Sequence, residues 1–446
     1  MLEFGYAQED ITPKYGAPLC GYLNPRPNRG ALDRLKVKAA AFRTGKDAAM
    51  IVSFDLCMVG AALVKKMTAA VSEAVPELAG KVMFSATHTH TGPFTTPCFT
   101  DGVDNTYLDF LTGKMLAAVR EAYENLAPAE LWATQTECPT MAFNRRYVMK
   151  NGKVLTNPGK LNPDIVRPEG TTDPAIPFFA VKQHGHFRLL AVNISNHADT
   201  TGGDLVSADW PGHLEKQIQY ELGEEVPVIT LIAPQGNINH FNVRTAADQT
   251  SPEESRRIGR AYAAAVLSSL YQLRQVEADS IRTASCEFDA PYYTVTDEEY
   301  DEAKRVFEAN RDADMQPGQD ITSEDIARGT PFALKFFAQN VIDCRDKAIK
   351  TPRVEQMFAM RLGKEIGIVG LPAEPFVEIG LAIRKDSGFP MTMVAALTMG
   401  EIGYVGLPAN YGVGGYETIP SRGKAGRRVG TDMIRIAGEL LRQIGK

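Results

Sequence analysis

An α/β fold is the class this sequence predicts: a layered α/β/α domain with a mixed sheet. Three observations carry it. Short apolar runs alternate with helix-patterned segments through residues 1–140. Strand signals return beyond residue 354, and between the two lies 296–348, charged and helical in pattern, which reads as an insertion. No internal repeat and no low-complexity linker is visible, so 1–446 is expected to be one domain with that insertion.

The elements follow in order. Residues 49–54, Ala-Met-Ile-Val-Ser-Phe, form an apolar run that ends at Asp55. Residues 61–77 read as a helix, 81–86 as the next strand, and 106–126 as an amphipathic helix that stops near Pro128. Two strand-like runs, 178–183 and 187–195, flank His184-Gly185-His186 as a hairpin. Residues 226–233 read as a buried strand. Ser251, Pro252, Glu253 and Glu254 make a strong helix start: a hydroxyl cap, a first-turn proline, and acids at the positive end of the dipole. That helix is expected to run to about Gln275. Later strands are expected at 356–361, 365–370 and 391–397, and a last helix at 430–444.

Composition narrows the functional classes. The 446 residues are 44% hydrophobic and 23% charged, enough apolar material for a full core. A net charge of −6, with no basic cluster, argues against a nucleic acid or an anionic membrane as partner. No run is long and apolar enough to span a membrane, and the first residues lack the pattern of a signal peptide. Cys20, Cys57, Cys98, Cys138, Cys286 and Cys344 show no CxxC spacing, so reduced and mostly buried thiols in a cytoplasmic protein are expected.

Seven histidines are present, and two stand one residue apart, at His88 and His90, just past the 81–86 strand. In an extended segment positions i and i+2 share a face, so the two imidazoles would project together. A metal site and a pair of surface histidines both satisfy that. His197 follows another strand, where α/β proteins build sites; alone it also suits a hydrogen-bonded loop. Glu374 leaves a strand end within Pro372-Ala373-Glu374-Pro375, as a rigidly aimed carboxylate or as an acid at a helix start. Tyr404 by itself reads as a core tyrosine.

Several of these stretches resemble the catalytic domain of the neutral (non-lysosomal) ceramidases and their bacterial relatives. Residues 85–93, Ser-Ala-Thr-His-Thr-His-Thr-Gly-Pro, are similar to that family's best-known motif. So are Asp10-Ile11-Thr12-Pro13 with Gly16-Ala17-Pro18-Leu19, Asn144-Arg145, His197, the run from Ser207 to Gly212, and Tyr404-Val405 followed by Pro408, Tyr411, Tyr416 and Glu417. The likeness spans Asp10 to Glu417, as in a divergent, short bacterial-type member.

The resemblance implies a zinc hydrolase acting on an amide, with one Zn²⁺ per chain held by His88, His197, Glu374 and Tyr404. It implies that His90, Arg145 and Tyr416 act without binding the metal. The residue types suit those roles. Imidazole, carboxylate and phenol are good zinc donors. A histidine beside the metal can move protons, a tyrosine can stabilise an oxyanion, and an arginine offers a planar fork for a carboxylate. Asp55 and Asp209 are candidates for orienting a ligand histidine through its second nitrogen; each also suits an ordinary cap or loop acid. The family's Gly-Asp-Val-Ser-Pro-Asn stretch corresponds here to 235–242, without its serine, and His240 falls near its place. His240 is expected to touch the substrate, with metal binding or a plain loop substitution as the open alternatives; the resemblance implies Tyr411 at the substrate too, a small molecule with an acyl group more polar than ceramide. The family's immunoglobulin-like C-terminal domain is not expected. An esterase or lactonase on a small polar substrate, and a non-catalytic metal- or ligand-binding homologue, remain open alternatives, as does a homo-oligomer.

Overall fold

The computed structural model describes residues 1–24, 26–97, 103–316, 319–421 and 423–446. Its order of elements is a repeat. The first unit runs β1 (Leu2–Asp10), β2 (Lys36–Thr44), β3 (Asp47–Phe54), α1 (Ala61–Ala74), β4 (Val82–Ala86), α2 (Asn105–Glu124). The second runs β5 (Glu130–Glu137), β6 (Ala175–Gln183), β7 (His186–Ile194), α3 (Asp209–Leu222), β8 (Val228–Ile232), α4 (Pro252–Leu267). The third begins with β9 (Ile281–Ala290) and then carries the helical insertion, α5 (Asp297–Ala309), α6 (Ser323–Arg328) and α7 (Pro331–Asp346). It resumes with β10 (Arg353–Leu362), β11 (Ile366–Gly370), α8 (Val377–Lys385), β12 (Met391–Ala395) and α9 (Val429–Gly445).

Each unit makes its own mixed sheet with the same pairing. The first three strands are antiparallel neighbours, and the fourth returns through a helix to lie parallel to the third. No such repeat is visible in the amino-acid sequence. A repeated topology needs only the same succession of strand and helix periods, which dissimilar residues can supply.

This topology sorts the connections. The second and third strands of each unit join by tight hairpins at one edge. At His184-Gly185 both φ angles are positive, +52° and +83°, as a two-residue type I′ turn requires. Strands one, three and four all run the opposite way, so their exits lie together at the other edge. The units meet there: Ala86 N donates to Leu397 O, Ala396 N to Ile232 O, and the Asn193 amide to Leu231 O and Val394 O. The largest apolar core draws Val52, Phe84, Leu231 and Met393 from all three units.

Helix boundaries follow local chemistry. α1 stops before Pro76, whose ring disfavours a helical Val75. α4 ends at Leu267, well short of the expected Gln275, because the chain turns at Ser268-Ser269 to add Arg274–Val276 to the edge of β5. Its start is as expected: Ser251 Oγ accepts the Glu254 N–H at 3.1 Å. Ser251→Ala is expected to cost about 1 kcal/mol, read by urea unfolding. Strands β1, β2, β5 and β9 carry no strong sequence signal. Of the thiols, Cys20, Cys57, Cys138 and Cys344 are buried and Cys286 is partly so; Cys98 lies outside the described residues. Among the described residues no helix is long and apolar enough to cross a membrane.

Candidate active site

Every candidate residue leaves a strand at the shared edge. His88 and His90 follow β4, His197 follows β7, His240 follows β8, Glu374 follows β11, and Tyr404 and Tyr416 follow β12. Arg145 comes from the long connection after β5.

The two histidines of the Thr-His-Thr-His-Thr run do not converge by strand alternation. β4 ends at Ala86, and His88 adopts a left-handed φ of +65°. That conformation is costly for a residue with a side chain and persists only where the surroundings enforce it. Here Thr87 N donates to Phe54 O and His88 N to Leu56 O. The threonines turn away, and the Thr89 and Thr91 hydroxyls both donate to Ser207 O, at 2.6 and 3.0 Å. The rings are left with their Nε2 atoms 3.3 Å apart.

His88 and His197 both turn Nε2 toward Glu374 Oε2, at 3.0 and 3.1 Å. Their Nδ1 atoms lie 2.9 Å from Cys57 O and 2.8 Å from Ile238 O. A carbonyl can only accept, so each Nδ1 carries a proton, and in the neutral form of each ring Nε2 presents a lone pair. Two lone pairs then face a buried carboxylate oxygen with no hydrogen between them, and Oε2 has no hydrogen-bond partner. Three electron-rich atoms so placed call for a cation among them. All three donor atoms lie within 4.8 Å of one another. His90 stands outside this group and joins a different one, with Cys57 and His88. The two backbone carbonyls orient the His88 and His197 rings; Asp55 and Asp209 do not. Asp55 accepts from Lys36 N, and Asp209 from Thr201 N and Trp210 N.

Tyr404 pairs in register with Glu374 across a short parallel bridge, and its ring stacks on His197 at 6.3 Å. Its hydroxyl accepts from Tyr416 at 2.7 Å. Arg145 lies behind both tyrosines, its Cζ 5.1 and 5.4 Å from the ring centres. Arg145 is offered by the sequence as a fork for a substrate carboxylate, but two of its nitrogens are committed elsewhere and Nη1 lies 3.5 Å from His197 Nε2. Nη2 donates to Gly236 O at 2.7 Å, and Nε lies 2.9 Å from Glu417 Oε1, an ion pair more than a linear hydrogen bond. Gly236 has no room for a side chain; a Cβ there would lie 2.3 Å from Glu374 O.

His240 and Tyr411 are not brought to the donor group. His240 is buried, with Nε2 donating to Gln249 O at 2.6 Å and Nδ1 3.2 Å from Asp199 Oδ1. Burial would lower its pKa, but Asp199 beside it raises it above the ordinary value. Tyr411 packs in the core of the helical insertion, 5.8 Å from Tyr293, and its hydroxyl accepts from Gly406 N.

Burial, reinforced by His88, pulls the His90 imidazole down to about 3, so it is neutral at pH 7. Two neighbours escape sequence reasoning. Burial pushes the Glu401 carboxyl up to about 7 and pulls the Lys424 ammonium, 5.4 Å over the Tyr404 ring, down to about 8. Lys424 lies in a polar loop with nothing in its spacing to mark it.

Solved structures share this architecture. A neutral ceramidase from Pseudomonas aeruginosa matches with a TM-score of 0.72 at 17% identity, over 99% of this chain and 74% of that one. A ceramidase complexed with C2 matches with a TM-score of 0.74, at the same identity and coverage. The fold is that of neutral ceramidase. The sequence resemblance and the structural likeness therefore point to one fold, although no family model and no curated protein matches the chain. Within this ceramidase-like fold the His88, His197 and Glu374 group lies where the three units meet.

Proposed function

We propose that this chain is a zinc-dependent hydrolase that cleaves an amide (N-acyl) bond with a metal-activated water. The observation that carries the reading is the convergence of two Nε2 lone pairs on the buried Glu374 Oε2, with both Nδ1 protons committed to carbonyls. His88, His197, Glu374 and Tyr404 would hold one zinc ion. Bound there, zinc would polarise the acyl carbonyl and bring the pKa of a water down to about 7.

The remaining work falls to side chains. His90, neutral and 3.3 Å from the nearest ligand nitrogen, accepts the proton of the attacking water at Nε2 and returns it to the leaving nitrogen. Tyr416 turns its hydroxyl from Tyr404 to the developing oxyanion. Arg145 holds a positive charge behind both phenols and steadies Gly236 under Glu374. The substrate is a small molecule with an acyl group.

The test is removal and return of the metal. The purified protein is expected to carry about one zinc per chain, to lose amidase activity on chelation, and to regain it with added zinc. A protein with no transition metal, and no activity on adding zinc, defeats the reading. Paired amide and ester substrates in the same assay decide which bond is cleaved.

A further inference from the structure

The geometry points to Arg26 as a positioning residue for His90: its guanidinium fixes the His90 carbonyl, so that the imidazole stands beside the metal ligands without joining them. The inference rests on the proton-carrying role proposed for His90.

His90 lies past the last regular strand, in a turn that no sheet ladder holds. Its main chain is pinned from both sides instead. His90 N donates to Ala198 O at 3.1 Å, next to the ligand His197. His90 O accepts from Arg26 Nη2 at 2.6 Å. The same guanidinium donates to Cys20 O at 2.9 Å and to Gly203 O. One side chain thus ties together three segments from two units, all bordering the site.

The surrounding loop is shaped to the same end. Gly21 has a φ of +103°, and a Cβ there would sit 2.6 Å from the His90 Cβ, so the loop lies flat against the histidine. Tyr22 meets the His90 ring edge-on at 6.1 Å, and Arg26 Cζ covers Tyr22 at 3.9 Å. Leu19 bridges Pro93, and Cys20 N donates to Gly92 O, which closes the loop over the far end of the motif.

Arginine is suited to this and lysine is not. A planar fork can donate to several carbonyls at fixed angles, whereas an ammonium is one point on a flexible stem. Among the described residues no carboxylate lies within salt-bridge distance of Arg26, and its Nε is buried without a partner. Its three hydrogen-bond acceptors are all neutral main-chain carbonyls. What Arg26 supplies is a fixed position for the His90 backbone.

The experiment uses the full-length, metal-loaded protein labelled with ¹⁵N-histidine. The His90 ring signals are identified by their loss in His90→Ala. In Arg26→Ala these signals are expected to shift or broaden while those of His88 and His197 and the metal content hold. Millimolar guanidinium should restore them. Arg26→Lys keeps the charge and serves if Arg26→Ala does not fold; its His90 signals are also expected to move, without rescue. On any amide the wild type cleaves, kcat should fall about ten- to a hundred-fold with KM little changed, as for a small misplacement of a reacting group. Unmoved His90 signals in both variants overturn the inference, and so does joint movement of all three histidines with metal loss. If the wild type cleaves no amide, the hydrolase reading fails, while the ring signals still decide the role of Arg26.

Discussion

His90→Ala is expected to keep its zinc and lose its turnover. Removing a positioned proton carrier typically costs about 10²- to 10⁴-fold in kcat. The metal should stay, because His88, His197 and Glu374 form their donor group without His90. His88→Ala is the contrast: it removes one of the Nε2 atoms 3 Å from Glu374 Oε2 and should lose the metal as well as the activity. Metal per chain and kcat, measured on both variants, separate the two roles. Loss of zinc from His90→Ala to the extent seen in His88→Ala would make His90 a ligand instead.

Glu417→Gln is expected to destabilise the protein by about 3–5 kcal/mol, because it strips the counter-charge from two buried arginines. Glu417 is 0% exposed; its Oε1 lies 2.9 Å from Arg145 Nε, and its Oε2 accepts from Arg146 Nη1 at 2.9 Å and from the Thr156 hydroxyl at 2.6 Å. Arg146 keeps Glu169 as a second partner, which is more exposed, so Glu169→Gln should cost less. Urea or thermal unfolding checks both. The same substitution frees Arg145 from behind Tyr404 and Tyr416, so residual activity should fall even in the folded fraction.

The parts of the site legible in the sequence are those whose spacing is local. Thr-His-Thr-His-Thr announces itself because two imidazoles and three hydroxyls alternate within five residues. The reason for their convergence is different from the one the spacing suggests: a left-handed His88, not a continuous strand, sets the angle between the rings. His197 and Glu374 were legible as residues just past strand ends, whereas Tyr404 by itself read as a core tyrosine and only the family resemblance set it beside them. Asp55 and Asp209 satisfy the same rule, yet they serve backbone N–H groups of their own surroundings. A strand-end position states where a side chain starts and leaves open what it meets. Arg26 and Lys424 had no legible signal, since one contacts carbonyls from three segments and the other an aromatic face across twenty residues of loop.

The α/β class, most strands beyond β2, the caps of α4 and the helical insertion were determined by the sequence alone, because periodicity and capping act within a few residues. The repeat of three units, the split of Arg145 toward Glu417 and Gly236, and the withdrawal of His240 and Tyr411 into buried contacts were decided only by the tertiary structure. The physical reason is direction. In each unit the first, third and fourth strands run the same way, so all their exits share one edge, and packing the three edges together brings His88, His197 and Glu374 within bonding reach across nearly three hundred residues.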